Sequence, residues 1–584
     1  MTSLNGHANG STSTLINGDA ASREPVIIVG AGLAGLVAAY EITKAGQKVI
    51  FVEQENSANL GGQAFWSLGG IFLVDSVEQR RFGIRDSLEL ARRDWYNSAQ
   101  WDRLDDEDFW AKKWADAYLE FAAGPKRQYL RDLGVGYLPT TGWAERGASV
   151  ATGHGNSVPR FHLTWGTGPA IVKAFADPVL EAQKKGLVEF RWRHQVDAIS
   201  LDSAGRAVGV AGIVLEPSDH LDRGVQSSRK AVGDFEITGR AVLVSSGGIG
   251  GNVPLVKKLW PKERFHNYTP EHWVVGVPAH VDGRMISISE KAGARTVNND
   301  RMWHYTEGLK NWNSIWPNHG IRVITGPSSL WLDAKGKRLP PPCFPSADTL
   351  STLRYICSTG YDHTWLILNK SIALKEFALS GSEQNADFTS KSLVGVLKRV
   401  IWGSQHIHDF QQKGEDWVTA DNVESLVEGM NKIVKRDGRG PEVELEQIRE
   451  ELETRDAQMD HPYSKDTQVM LIRNAKSYKG DVRCCKPHKI GDPKWGPLIA
   501  IRLNLITRKT LGGIQTNLES QVMKEDGTVL PGLYAAGEVA GFGGGGVHGL
   551  NALEGTFLGG CIFSGRAAGM SLAGEGDAKA ATQV

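Results

Sequence analysis

The sequence predicts an α/β protein with some α+β elements, in which a glycine-rich sheet domain is split by an inserted domain. Three observations favour this class. Residues 26–53 have the pattern of an apolar strand, a glycine-rich turn, a small-residue helix and a second strand. Apolar strands followed by glycine clusters return at 241–252 and after residue 497. Between residues 300 and 497 the composition changes to tryptophans, a proline-rich turn and charged helices.

The segment 26–53 carries the motif GAGLAG and ends on an acid, as a Rossmann-like dinucleotide site requires. Gly30 permits a tight turn, and Gly32 lets backbone N–H groups approach a pyrophosphate. Leu33–Ala34 open the helix, and Gly35 lets it lie close to the sheet. Glu53 can accept the ribose hydroxyls of the dinucleotide. Because all these parts agree, the signal is stronger than an isolated glycine motif.

Between the two ends of the glycine-rich domain, periodicity indicates helices over residues 84–135 and strands over 188–215. The expected organisation is a disordered tail at 1–24, the dinucleotide-binding domain at 25–299 and 498–584, and an inserted cap domain at 300–497. The meeting of two domains is a common place for a substrate cavity. We therefore expect the site between cap and sheet domain.

Composition limits the classes of partner. The 66 basic and 66 acidic residues balance, so no net charge attracts nucleic acid or an anionic membrane. The sequence contains no run of about 18 apolar residues, the length that a membrane-spanning helix needs, so we expect no membrane span. The five cysteines fit neither a disulfide framework nor a usual metal spacing, and we expect no metal. The polar first 24 residues lack the features of a signal or transit peptide, which favours a cytoplasmic location.

Six separated motifs resemble the flavoprotein family of fumarate reductase, succinate dehydrogenase and 3-ketosteroid Δ1-dehydrogenase. The resemblance covers residues 25 to about 573 and follows the family's order and spacing. The motifs are GAGLAG with Glu53, the SLGG loop at 67–70, RFHLTWGTG at 160–168, SSGGIGGN at 245–252, VDGRM at 281–285, and PGLYAAGEVAGFGGGG with HG at 531–549.

The resemblance implies that the dinucleotide is FAD and that chemistry occurs at a carbon–carbon bond beside an electron-withdrawing group. It assigns Glu538 to the ribityl hydroxyls and the backbone of Val196 to adenine. It places the helix that opens with Thr556, Phe557 and Leu558 near the flavin, with a positive helix end favouring its anionic reduced form. The remaining cofactor contacts implied by the glycine loops are Gly62, Gln63, Gly70 and Gly248.

Three departures from the family narrow the expected substrate. Ala552 stands where fumarate reductases have the arginine that clamps a carboxylate, and Glu554 replaces a glycine. Leu498 stands where ketosteroid dehydrogenases have the tyrosine that polarises the ketone. Residues 63–66 contain no histidine, the residue to which succinate dehydrogenases attach FAD, so noncovalent FAD is expected. These departures favour the steroid-dehydrogenase-like branch without naming its substrate.

Candidate catalytic residues come from the motifs and from the start of the cap. His548 matches the family's substrate-facing histidine, and His304 or Tyr305 can exchange a proton beside a carbonyl. Arg160 can line the substrate side, bind a phosphate of the flavin cofactor, or form a structural ion pair. Tyr361 is an alternative acid or base. Weaker candidates are His162, His363, Arg502 and Arg508, with Trp303, Trp331 and Trp365 as either a flat apolar wall or packing.

The sequence therefore predicts an FAD-dependent dehydrogenase or reductase that acts beside the carbonyl of a hydrophobic, steroid-like or polycyclic substrate. An oxidase or isomerase of a biosynthetic intermediate, a fumarate-reductase-like ene reductase and a flavin-binding protein without turnover remain as alternatives. No second complete GxGxxG motif predicts a nicotinamide site, so electrons pass to or from an unidentified small acceptor or protein.

Overall fold

The computed structural model describes residues 24–147, 152–478, 480, 483–574 and 576–583. The predicted tail, apart from Glu24, lies outside these residues. The predicted mixture of helix and sheet is confirmed, with helices distributed between strands along the chain. The predicted helices at 84–135 and strands at 188–215 are present, interrupted by short turns.

The glycine-rich domain is organised around a six-stranded sheet with the order β21-β22-β10-β1-β2-β6. All neighbouring pairs are parallel except β21 with β22. The apolar runs of the central strands are buried, as in a parallel sheet covered on both faces. Its strands are β1 (Val26–Val29), β2 (Val49–Glu53), β6 (Val188–Trp192), β10 (Ala241–Val244), β21 (Gln521–Met523) and β22 (Val529–Ala535).

A second, eight-stranded sheet is built around the long strand β19. Pairing is antiparallel except between β11 and β19. The strands are β11 (Trp273–Val275), β13 (Met302–Lys310), β14 (Gly320–Ile324), β15 (Leu330–Leu332), β16 (His363–Asn369), β17 (Ala378–Leu379), β18 (Trp417–Ala420) and β19 (Leu498–Thr510). Strands β11 and β19 lie outside the range 300–497 expected for the cap, and those domain boundaries stay a prediction.

Three small sheets complete the strand structure. They are β3-β5-β4, β7-β8-β9 and β12-β20, each with antiparallel pairs. Their bounds are β3 (Gly70–Phe72), β4 (Tyr137–Gly142), β5 (Phe161–Thr164), β7 (His194–Leu201), β8 (Ala207–Leu215), β9 (Ala231–Thr238), β12 (Thr296–Val297) and β20 (Gly513–Ile514).

The helices cover both sheets. They are α1 (Leu33–Lys44), α2 (Val77–Arg81), α3 (Leu88–Ala99), α4 (Phe109–Ala123), α5 (Lys126–Asp132), α6 (Thr167–Lys184), α7 (Val253–Leu259), α8 (Arg284–Lys291), α9 (Thr349–Ser358), α10 (Lys370–Glu376), α11 (Ala386–Thr389), α12 (Leu393–Trp402), α13 (Gln405–Lys413), α14 (Val423–Asp437), α15 (Leu445–Met459), α16 (Thr467–Ser477) and α17 (Thr556–Ala573).

Helices α1 and α17 pack closely because small residues face each other. A Cβ added at Gly565 would lie 2.5 Å from the carbonyl oxygen of Ala34, and one at Gly569 would lie 2.8 Å from that of Ala38. Only glycine permits this separation. Both helices also begin beside the same cavity, which Leu33 of α1 and Phe557 of α17 line.

Two absences apply to the described part of the chain. No helix there is long and apolar enough to cross a membrane. No group of three or more His, Cys, Asp or Glu side chains there could hold a metal ion.

Candidate active site

One cavity is lined by residues of both large sheets. It encloses about 1680 Å³, including the part that opens to solvent. One end lies at the GAGLAG turn and the other at Tyr305, Arg322 and Glu554.

The first end has the geometry expected of a dinucleotide cradle. The Glu53 carboxylate accepts the backbone N–H of Ala31 at 2.8 Å and that of Glu55 at 3.0 Å, which fixes it at the end of β2. A Cβ added at Gly32 would meet only one protein atom, 3.7 Å away, so the space above Gly32 is open. Val196 also lines this end, as the resemblance implies.

The two helix N-termini at the cavity favour an anionic ligand. Helix α1 begins after Gly32 and α17 after Gly555, and neither has a side-chain cap or an acid in its first turn. Their first N–H groups therefore lack intrahelical and capping partners, and the helix dipoles add positive potential. Leu33, Ala34, Phe557 and Leu558 all line the cavity. These features fit the pyrophosphate and the flavin of FAD.

Between the two ends lies a polar group centred on Glu538. Gln63 donates to its carboxylate at 2.8 Å, and the backbone N–H of Thr510 donates at 3.0 Å. Lys509 lies 3.5 Å from the same carboxylate and donates to the Gln63 side-chain oxygen at 2.9 Å. Gly62 and Gly70 also line this region. Glu538 is thus an oriented acceptor facing the middle of the cavity, which fits a ribityl chain.

The second end contains a buried charge cluster around Arg322. Its guanidinium lies 2.6 Å from the Glu554 carboxylate, 3.6 Å from Glu307 and 3.9 Å from Glu145. It also lies over the Tyr305 ring, 3.6 Å from the centroid, in a cation–π contact. One arginine is therefore surrounded by three carboxylates and one phenol.

Burial and charge together set the protonation of this cluster. Burial, followed by the nearby Glu554 carboxylate, raises the pKa of Tyr305 well above its usual value of 10.0. Burial opposes the charge of Arg322, but the surrounding carboxylates outweigh it and raise its pKa. Burial also raises the pKa of Glu307. At neutral pH the Tyr305 phenol is therefore protonated and Arg322 is charged.

Arg508 brings a second guanidinium to the cavity. It donates to Ser380 Oγ at 3.1 Å and to the backbone carbonyl of Gly276. Its backbone N–H donates to His304 Nδ1 at 3.0 Å. His304 itself is buried against Trp273 and Trp260 and does not line the cavity. Burial lowers the pKa of His304 to about 3, so it is a neutral support for β19.

His548 also lies behind the cavity wall. Its Nε2 shares a hydrogen bond of 2.9 Å with Thr556 Oγ1, and its ring stacks on Trp95 and touches Phe557. Phe557 lines the cavity, whereas His548 and Thr556 do not. Burial lowers the pKa of His548 to about 3. The structure therefore gives His548 contacts that position the start of α17, and its predicted catalytic role has no support from this geometry.

Arg160 and Tyr361 are not brought to the cavity. Arg160 is fully buried, 2.8 Å from Asp86 and 2.6 Å from Asp94, which fits the structural ion pair named as its alternative. Tyr361 lies at the turn between α9 and β16. The geometry gives no support to a catalytic role for either residue, because neither side chain lines the cavity.

Several of the remaining predicted residues also lie outside the cavity. His162 is buried against Ser76, and Arg502 pairs with Asp416 and Asp437. Three predicted cofactor residues, Gly35, Gly248 and Thr556, do not line the cavity. The other residues that do not line the cavity are His363 and the core tryptophans Trp303, Trp331 and Trp365.

Sequence reasoning missed Arg322. The sequence feature that could have indicated Arg322 is a single charged residue in the middle of the apolar strand GIRVI. An arginine at such a position is buried only when it is paired. Its partners Glu145 and Glu554 lie far away in the sequence. Nothing local to β14 could therefore name them.

Comparison with known proteins defines the class of this site. The sequence pattern of the FAD binding domain family matches residues 25–558. The chain belongs to this family, as the motifs indicated, and it is an FAD-dependent oxidoreductase.

Particular relatives are similar over nearly the whole chain. A KsdD-like steroid dehydrogenase of Mycobacterium tuberculosis is 56% identical over 555 residues, covering 94% of this chain and 95% of the relative. One from Mycolicibacterium smegmatis is 55% identical over 539 residues, covering 91% of this chain and 96% of the relative.

Solved structures share the fold. The 3-ketosteroid Δ1-dehydrogenase of Sterolibacterium denitrificans aligns with a TM-score of 0.63 at 17% identity, over 95% of this chain and all of that one (100%). The 3-ketosteroid Δ4-(5α)-dehydrogenase of Rhodococcus jostii RHA1 aligns with a TM-score of 0.60 at 19% identity, over 96% of this chain and 99% of that one.

Proposed function

We propose that this chain is an FAD-dependent dehydrogenase, or in reverse a reductase, of the carbon–carbon bond beside the carbonyl of a hydrophobic, steroid-like substrate. The observation that carries this proposal is the continuity of one cavity from the dinucleotide cradle to the Tyr305 cluster. Its most similar relatives described above are named as steroid dehydrogenases, which supports the substrate class.

The residues proposed to hold FAD all line the cavity. Val196 and Glu53 face the adenosine, Gly32 and the start of α1 face the pyrophosphate, and Glu538 faces the ribityl chain. The start of α17 faces the flavin ring. When bound, FAD supplies the two-electron redox step at the substrate bond.

The charge cluster favours a neutral substrate over a dicarboxylate. Arg322 is already paired by Glu554 and approached by Glu307 and Glu145. A dicarboxylate would have to displace these anions to obtain a bidentate contact. Apolar groups of Phe161, Ile324, Phe542 and Phe557 also line the cavity, as a hydrophobic molecule requires.

Tyr305 is proposed to act on the substrate carbonyl. A phenol whose pKa is raised well above 10.0 remains protonated, and it can donate a hydrogen bond or a proton to the carbonyl oxygen. The guanidinium of Arg508 lies in the same cavity and can stabilise negative charge that develops on that oxygen. Leu498, where the sequence lacks the family's tyrosine, does not line the cavity, so Tyr305 is the phenol proposed for this role.

Three further features belong to this proposal. FAD is bound noncovalently, because residues 63–66 beside the cavity offer no histidine. Electrons pass to or from a small acceptor or another protein. We propose a cytoplasmic location, where a reducing environment keeps thiols such as those of Cys343, Cys357, Cys485 and Cys561 free.

The test is the spectrum and ligand content of the purified protein. Folded protein should carry flavin that acid precipitation releases intact. Glu53→Arg should release FAD because it removes the ribose acceptor and adds a cation beside the cradle. Glu525→Arg, at a side chain 79% exposed, is the matched control and should retain FAD. Folded wild-type protein that binds no FAD would contradict the proposal.

A further inference from the structure

Helix α12 presents its apolar residues to the exterior. Its sequence is LVGVLKRVIW, and the exposed residues are between 58% and 78% accessible. These residues are Leu393, Val394, Leu397, Val400, Ile401 and Trp402. Helices of folded proteins normally bury such a face. A contiguous exposed apolar patch of this kind marks an interaction site.

The orientation of α12 is fixed by polar contacts on its inner side. Arg399 donates to the Asp387 carboxylate at 2.6 Å and to the Asn385 side chain at 3.0 Å, and it lies over the Phe388 ring. Rotating the helix to bury its apolar face would break this ion pair. The outward apolar face is therefore a property that the fold maintains.

Basic side chains flank the apolar face of α12. Residues 388–408 contain Lys391, Lys398 and Arg399, and the acids Asp387 and Asp409 lie directly outside this range. The charge of Arg399 is balanced by the Asp387 carboxylate. Lys391 and Lys398 are exposed beside the apolar face. Apolar residues flanked by lysines, with a tryptophan at one end, are typical of helices that lie in the surface of an anionic membrane.

A second copy of the chain is the less suitable occupant. A ten-residue helix is only about 15 Å long. A stable dimer buries about 800 Å² on each partner, more than this face alone supplies. Binding to a lipid surface requires no such minimum buried area, because each apolar side chain enters the acyl boundary independently.

Helix α12 is also joined to the wall of the cavity. Ser380 lines the cavity, and Ser382 donates to the backbone carbonyl of Phe65 at 2.7 Å. Thr389 shares a hydrogen bond of 2.8 Å with Thr167. The segment from Ser380 to Lys391 thus connects the cavity wall to α12.

We propose that the apolar face of α12 docks this protein on an anionic lipid surface.

The test is flotation of the full-length holoprotein with vesicles of phosphatidylcholine and phosphatidylglycerol in a two-to-one ratio, with pure phosphatidylcholine as comparison. Wild-type protein should float with the anionic vesicles and detach at about 0.5 M KCl, where charge is screened. The double variant Leu397→Glu with Ile401→Glu should bind at least about tenfold more weakly. Met470→Glu, at another exposed apolar residue on a helix, should bind as wild type.

Lys398→Glu provides a second variant at a side chain that carries no packing. It should weaken binding to anionic vesicles and leave the weaker binding to phosphatidylcholine unchanged. Flavin absorbance and turnover in solution should be unaltered in every variant, so failure of this inference is distinguishable from failure of the proposed function. Wild-type protein that binds neither vesicle, or a double variant that binds equally well, would overturn it. So would a dimer that the double variant dissociates without any loss of vesicle binding.

Discussion

Tyr305 and Arg322 lie on neighbouring strands, β13 and β14, and face the same cavity. The guanidinium over the phenol ring holds the ring in place and is itself held by Glu554. This arrangement orients a protonated phenol toward the cavity. Two predictions test the two residues separately.

Replacing Tyr305 with Phe should lower kcat by about 10²–10⁴-fold, the usual contribution of an acid–base group. FAD content should stay unchanged, because Tyr305 lies at the substrate end of the cavity. The measurement is steady-state turnover with an artificial acceptor. Tyr361→Phe, at a phenol outside the cavity, is the control and should keep full activity. Equal activity of Tyr305→Phe and wild type would remove Tyr305 from the reaction.

Replacing Arg322 with Met should lower the free energy of unfolding by about 3–5 kcal/mol, because it leaves buried carboxylates without a partner. The control is Arg80→Met, whose ion pair with Asp75 is exposed and should cost less than about 1 kcal/mol. Urea unfolding at a fixed FAD concentration measures both values. A similar small cost for the two variants would show that Arg322 is not balancing these charges.

His548 predicts a pH dependence of stability. Burial lowers its pKa from 6.5 to about 3, so below pH 6.5 the unfolded chain takes up a proton that the folded chain excludes. The free energy of unfolding should therefore fall as pH drops from 6.5 toward 3. His548→Gln should reduce the difference between pH 7 and pH 5 by about 2 kcal/mol. His461→Gln, at an exposed imidazole, should leave the difference unchanged. An unchanged difference in His548→Gln would contradict the neutral buried imidazole.

Among the elements, the two uncapped helix N-termini at the cavity mark where we propose that FAD lies. Gly32 before α1 and Gly35 within its first turn have different roles, which substitutions can separate. Gly32 faces open space, whereas a Cβ at Gly35 would lie 2.6 Å from the backbone carbonyl of Gly30. One position therefore serves the ligand and the other serves packing.

Gly32→Ala should weaken FAD binding and leave the thermal stability of the apoprotein within a few degrees of wild type, because its new methyl group enters the cofactor space. Gly35→Ala should lower the stability of the apoprotein itself. Fluorescence titration with FAD and thermal unfolding of both apoproteins measure the two effects. The reverse pattern would place the pyrophosphate elsewhere.

Elements differed in how far the sequence could predict them. The βαβ unit at 26–53 was predictable because its turn, helix spacing and acid are all local. The start of α17 was also predictable, because the motif that marks it lies within a short segment of the sequence. The pairing of β19 with β13 and β16 joins residues far apart in the chain, and periodicity carries no information about such partners.

At the scale of the whole molecule, both large sheets contribute to one cavity, and this determines which candidates reach the substrate. Tyr305 was separable from His304 only through the structure, because adjacent residues on a strand point to opposite sides. His548 and Arg160 belong to family motifs, yet their burial behind the wall was invisible in the sequence. Most of the predicted cofactor residues therefore line the cavity, whereas most of the predicted catalytic residues do not.

We propose that this protein removes two hydrogens from, or adds them to, a hydrophobic ketone. Mass spectrometry of the products measures this change most directly. Purified holoprotein is incubated with a panel of hydrophobic ketones that includes 3-ketosteroids, with and without an artificial electron acceptor. We predict that at least one ketone loses two hydrogens only when the acceptor is present, and that Tyr305→Phe abolishes this change. Turnover without any acceptor would indicate an isomerase instead. Folded, FAD-saturated protein that alters no ketone in either direction would contradict the account.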